Sequence, residues 1–134
     1  IVREELEHFE MVLGRIQERG WPWRKLRPSR YGERLHGLIR RDEPGKAVDR
    51  LLVAALIEAR SCERFGILRD HLTDRDLADF FGSLYESEAR HHGSYVQLAQ
   101  LFATRDEVRA RLAELAEAEA AIILEGEPLA RVHS

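Results

Sequence analysis

The chain has 134 residues, near the size of one domain, and its 44% hydrophobic and 34% charged residues are enough to bury a core and solvate a surface. Only 9 Gly and 4 Pro stand against long runs of Ala, Leu, Glu and Arg, which argues against a β-sandwich or barrel, and a single cysteine, Cys62, excludes a disulfide framework or a multi-thiolate zinc site. No apolar run approaches the ~20 residues of a bilayer span, so the expectation is a cytoplasmic helical protein with no membrane partner.

Residues 2–18 place Val2, Leu6, Phe9, Val12, Leu13 and Ile16 at steps of three and four ahead of Gly20, the pattern of an amphipathic helix and its stop. The pattern is already running at Ile1, with no Met and no cap, so a preceding segment is expected. A basic connection follows at about 19–46. Within it, Arg19 to Arg50 carries ten Lys or Arg against four acids, a local +6 inside a chain of net charge −3. Trp21, Trp23 and Tyr31 lie there among Gly20, Pro22, Pro28, Gly32 and Gly37, which reads as a loop followed by short helical pieces.

After Glu43-Pro44-Gly45 a long helix is expected from Ala47 to about His71, with Leu51, Ala54, Ala55, Cys62 and Phe65 as one stripe and Thr73 as the next N-cap. From Asp74 to Phe102 the seam Phe81, Leu84, Glu88, His91, Tyr95, Leu98, Phe102 advances by threes and fours, as in a packed bundle. Thr104 opens a last helix with Val108, Leu112, Leu115, Ile122 and Ile123 inward, closed by Gly126 and Pro128 and followed by an irregular tail. These elements make one all-α domain over 1–134.

Two polar residues, Glu88 and His91, interrupt the apolar seam, and Glu58 lies on the stripe of the preceding helix. A buried unpaired carboxylate costs several kcal/mol or more, so Glu58 requires a partner, of which a metal ion is the simplest. Residues at i and i+3 stand about 60° apart on a helix, so Glu88 and His91 can reach one point, as can Glu5 and His8. The third Glu-x-x-His pair, Glu33/His36, sits in the basic connection between Gly32 and Gly37 and is set aside.

Four-helix di-iron carboxylate proteins draw one Glu from each of two helices and a Glu-x-x-His from each of the other two. Five of those six ligands are here, in the required order: Glu5, His8, Glu58, Glu88 and His91. The absent one is a Glu on a preceding helix. Carboxylates with a few imidazoles suit iron or manganese, and iron can activate oxygen. His92 projects about 100° from His91; Glu63, Glu86 and Glu119 fall outside the set, and Cys62 reads as a small buried hydrophobe. Arg24, Lys25, Arg27, Arg30 and Arg34, beside Trp21, Trp23 and Tyr31, combine phosphate-seeking charge with stacking rings, a nucleic-acid footprint.

The strings REELEHFE around Glu5, IEARSCERF around Glu58 and SEARHHGSY around Glu88 resemble the bacterial tRNA hydroxylase family MiaE. The likeness extends through Ser29-Arg30-Tyr31, Val48-Asp49-Arg50-Leu51 and the closing Arg131-Val132-His133-Ser134. It implies a ferritin-like four-helix bundle, here without its first helix and with an additional C-terminal helix. It implies two iron ions held by Glu5, His8, Glu58, Glu88 and His91, with the sixth ligand on the absent helix. It further implies O2 as co-substrate, an external electron donor, and tRNA carrying 2-methylthio-N6-isopentenyladenosine as substrate, the isopentenyl group being hydroxylated. A ferroxidase or rubrerythrin-like peroxide scavenger would use the same metals without RNA. A metal-free interaction module would instead pair the seam acids with Arg60, Arg64 or Arg90.

Overall fold

The computed structural model describes residues 1–25 and 27–126. The expected tail after Pro128 and the closing Arg131–Ser134 resemblance lie outside the described residues. Five helices follow in order: α1 (Val2–Glu18), α2 (Tyr31–His36), α3 (Gly45–His71), α4 (Arg75–Ala99) and α5 (Arg105–Glu125). None of them is long and apolar enough to cross a membrane.

The boundaries follow local chemistry. After α1, Gly20 takes a positive φ of 64°, open to glycine at little cost, and turns the chain out of the helix. Thr104 caps α5 in a reciprocal capping box with Glu107, and Gly126 ends that helix at φ 66°. The cap of α4 is one residue later than its spacing suggests. Asp74, not Thr73, accepts from Leu77 N at 3.1 Å, because the same carboxylate also takes the Arg19 guanidinium.

The short Leu72–Asp74 link makes α3 and α4 antiparallel, and their contact is the most extensive in the molecule. The core joins four helices: Tyr31 and Leu35 of α2, Val48, Leu52, Val53 and Leu56 of α3, Ala99 of α4, and Val108 and Leu115 of α5. Of the expected α3 stripe only Ala55 is buried, with Leu51, Ala54, Cys62 and Phe65 half-buried; the buried arc is Val48, Leu52, Val53, Ala55 and Leu56, because α3 packs on α2 and α5 as well as on α4. The seam of α4 stops short of its expected end. The helix closes at Ala99, which is buried, while Leu98 and Phe102 are exposed.

Two buried polar clusters hold α2, α3 and α5 in register. Asp49 of α3, fully buried, accepts from Arg40 N, Nε and Nη2 and from Arg111 Nε and Nη2 at 2.8–3.0 Å. Glu119 of α5, 4% exposed, accepts Tyr31 Oη and two nitrogens of Arg60, each at 2.9 Å. Helix α1 is different, with no buried residue. Its far end is tied to the start of α4 by Arg15–Asp76, Arg19–Asp74 and Arg19–Asp76 ion pairs, and its near end meets His91. These contacts set α1 antiparallel to α4.

Burial opposes ionisation of Asp49, but hydrogen bonds from Arg111 and Arg40 outweigh it and hold its carboxyl at about 2. A carboxyl lowered on folding stabilises the fold above its unfolded pKa, and that contribution fades as pH falls through the folded value. Asp49→Asn should therefore lower unfolding free energy by about 3 kcal/mol at pH 7 in urea titrations, and by much less at pH 2.

Candidate metal centre

Glu58 sits midway along α3, just beyond the buried run ending at Leu56, where α3 turns its face toward α4 and α1. Glu88 and His91, one turn apart on α4, are both buried and face the same space. Helix α1 crosses the opening and supplies Glu5. Ligand atoms of Glu5, Glu58, Glu88 and His91 all lie within 4.8 Å of one another. His8 completes the group: its Nδ1 is 3.4 Å from Glu88 Oε1 and 3.7 Å from Glu5 Oε2. Four of the five residues that the spacing singles out thus converge, and His8 borders them.

What they lack is internal satisfaction. His8 Nδ1, Glu88 Oε2 and His91 Nδ1 are buried and have no hydrogen-bond partner. His91 Nδ1 approaches Glu5 Oε1 at 2.9 Å, yet without hydrogen-bond alignment. Buried polar atoms in native proteins are nearly always paired, so three orphans aimed at one space fit a ligand that supplies the missing bonds. A cation fits the charge as well as the geometry. Burial pushes the Glu58 carboxyl up to about 9, with Glu88 sharing its proton and the charges of Glu88 and Glu5 adding to the effect.

Two of the guanidinium groups that could neutralise these acids, those of Arg60 and Arg90, are engaged elsewhere. Arg60 binds Glu119 and Glu63, and Arg90 reaches Glu4 at 3.8 Å and Ser87. The donor set is hard, three carboxylates with imidazole, which suits iron, manganese or another oxygen-seeking divalent ion. Cys62 stands apart from it: its thiol donates toward Tyr85 O at 3.5 Å, and burial, then Glu88 and Glu58, push its pKa up. Tyr95, one turn after His91, borders the cluster, and burial followed by the charges of Glu58, Glu5 and Glu88 pushes its phenol up.

Spacing alone missed Glu4. Its Oε2 lies 2.9 Å from His91 Nε2, and that hydrogen bond pushes the Glu4 carboxyl below the usual carboxylate range. No helical period marks it, because the contact is made across α1 and α4. The residues set aside stay apart. His36 Nδ1 meets Gly32 O of its own helix, His92 Nδ1 meets Ala55 O, and Glu119 is taken up by Tyr31 and Arg60.

In the basic connection Arg24, Lys25, Arg27 and Arg30 are exposed, as are Trp21 and Trp23. The Arg19 guanidinium lies over the Trp21 ring, and Trp23 meets Phe9 edge-on at 6.2 Å. Two of the residues grouped with them are otherwise occupied. Arg34 pairs with Glu125 at 2.7 Å, and Tyr31 is buried with its hydroxyl on Glu119, so it offers no face for stacking.

Because Glu58 keeps a proton in the folded chain that the unfolded chain releases, metal-free stability should decline as pH rises from about 4.5 to about 9. Glu58→Gln should abolish that decline. At pH 8 its metal-free melting temperature should exceed that of the wild type by on the order of 5 °C, with little difference at pH 4; identical melting at pH 8 would count against the crowding.

A family model described as "tRNA-(MS[2]IO[6]A)-hydroxylase (MiaE)" matches residues 1–134. A Pseudomonas putida protein named tRNA 2-(methylsulfanyl)-N(6)-isopentenyladenosine(37) hydroxylase is 46% identical over 118 residues, 88% of this chain and 57% of the relative. A Salmonella typhimurium protein of the same name is 42% identical over 134 residues, 100% of this chain and 49% of the relative. The chain thus spans about half the length of the curated relatives it matches. Among solved structures, one described as "Protein 43 with aldehyde deformylating oxygenase activity from Synechococcus" superposes with a TM-score of 0.91 at 42% identity, over 98% of this chain and 67% of that one. The fold is thereby the ferritin-like bundle with five helices, and with a match that runs its full length the chain belongs to the MiaE tRNA hydroxylase family.

Proposed function

We propose that the chain carries the catalytic metal centre of an oxygen-dependent di-iron monooxygenase that hydroxylates the isopentenyl group of 2-methylthio-N6-isopentenyladenosine in tRNA. The observation that supports it most is the convergence of Glu5, Glu58, Glu88 and His91, with orphaned ligand atoms, in a chain of this family. Glu5, His8, Glu58, Glu88 and His91 are the proposed ligands of two iron ions, within one domain over 1–134 that includes the connection at 19–46. Cytoplasmic location follows from the proposed substrate.

Bound iron would supply the activation of O2 that carbon–hydrogen hydroxylation requires. One oxygen atom enters the C–OH group and the other leaves as water, so two electrons and two protons come from an external donor. The chain's own residues prepare the space. Glu58 gives up its proton when a cation arrives, so affinity rises with pH toward its pKa of about 9. Glu88 and His91, on a rigid 25-residue helix, keep their donor atoms fixed. Burial of Glu88 and His91 shields the α4 side of the space from water.

Arg24, Lys25, Arg27 and Arg30, exposed beside Trp21 and Trp23, are the proposed contacts to the RNA backbone and bases, with Arg34 at the edge of the same surface. The modified adenosine must leave the anticodon-loop stack to enter a buried site. A ferroxidase or peroxide scavenger would have no use for this surface.

The test is anaerobic addition of ferrous iron, followed by metal analysis and absorption on oxygen exposure, for wild type and Glu88→Ala. Two irons per chain and an oxo-bridged spectrum lost in the variant are expected. With reductant, O2 and tRNA bearing the substrate, digestion and mass spectrometry should find one added oxygen on the isopentenyl side chain. Replacing Arg24 and Lys25 together by Glu should weaken tRNA binding roughly tenfold at low salt and flatten its salt dependence, without altering iron content. Specific iron with no hydroxylated nucleoside would leave the metal centre and overturn the substrate.

A further inference from the structure

We infer that Glu4 is the positioning residue for His91, and that it makes the His91 side of the centre the tighter of two inequivalent metal positions. The inference rests on the metal-centre reading and concerns a residue outside the proposed ligand set. His91 is 2% exposed, so its ring finds partners only among protein groups. Its Nε2 stands 2.9 Å from Glu4 Oε2. A ring that uses Nδ1, the nitrogen facing Glu5 and Glu88, to hold a cation keeps its proton on Nε2, where the Glu4 carboxylate is placed to accept it. An outer carboxylate that fixes the tautomer and orientation of a metal-binding imidazole is worth about 10–100-fold in metal affinity.

Glu4 and Glu5 are neighbours on α1, so their side chains diverge by about 100°. His91 lies between them, with Glu4 at its outer nitrogen and Glu5 at its inner one. Helix α1 thus grips one imidazole of α4 at both ends of the ring. Arg90 approaches the other Glu4 oxygen at 3.8 Å and limits its rotation. His8 has no such support among the described residues. Its Nδ1 stands 3.4 Å from Glu88 and 3.7 Å from Glu5 without a hydrogen bond to either, and its ring sits 6.0 Å from that of His91 without an outer carboxylate. One imidazole is preorganised and the other is not, so ions should load in sequence, with the His91 position filling first.

Anaerobic Co(II) titration followed by visible absorption tests this on wild type, Glu4→Ala, Glu4→Gln and Glu7→Ala. Glu7 is an exposed acid on the same helix and controls for loss of charge alone. Glu4→Ala should weaken the tightest ion 10–100-fold. Glu4→Gln, which keeps an accepting oxygen, should lose less, and Glu7→Ala should lose nothing. In Zn(II)-loaded protein the His91 Nε2–H resonance should be present in the wild type and lost by exchange in Glu4→Ala, a change that loss of stability alone would not produce.

Unchanged affinity in Glu4→Ala, or an equal loss in Glu7→Ala, would overturn the inference while the metal centre stands. A wild-type chain that binds no Co(II) would overturn the centre and the inference together.

Discussion

Mutual repulsion among Glu5, Glu58 and Glu88 is the constraint around which this bundle is organised. Unit charges within 4.8 Å repel by roughly 3–4 kcal/mol at an effective protein dielectric, a penalty that falls mainly on Glu58 and Glu88 because Glu5, 44% exposed, is screened by solvent. That is a large fraction of the net stability of a domain of this size. A proton on Glu58 relieves the strain in the metal-free chain, and a divalent cation relieves it more completely. Three apolar residues in those positions would be more stable, so the cluster is retained against the stability of the bundle.

The same constraint explains how the molecule divides its labour. Helices α2, α3 and α5 with the end of α4 form a conventional apolar core, pinned by Asp49 with its two arginines and by Glu119 with Tyr31 and Arg60. Those ion pairs are internally satisfied and lie on the face of α3 away from the orphaned atoms. Helix α1 buries no residue and is held by charge at both ends, at Asp74 and Asp76 and at the cluster itself. Its outer face exposes Leu6, Phe9 and Val12. Helix α1 is thus seated by charge, whereas the other helices are joined by the apolar core.

Much of this was legible in the order of residues. Threefold and fourfold spacing located four long helices, and polar residues on otherwise apolar stripes singled out Glu58, Glu88 and His91. The misreadings share one cause. Thr73 lost its cap to Asp74, Tyr31 turned inward, and Arg34 was taken up by Glu125, each through a partner dozens of residues away or on another helix. Glu4 was invisible for the same reason, since its role is defined by His91, 87 residues distant.

Amphipathic period, helix stops and the Glu-x-x-His spacing act within one or two turns, so the sequence by itself determined the all-α class, the helix positions and the set of candidate ligands. Whether those ligands meet depends on how α1, α3 and α4 pack. Only the tertiary structure decided that four side chains share one space with His8 at its border, that three of these residues' atoms lack partners there, and which acids are instead consumed by arginine. Charge separation and burial are properties of distances between helices, and no periodicity along a single helix encodes them.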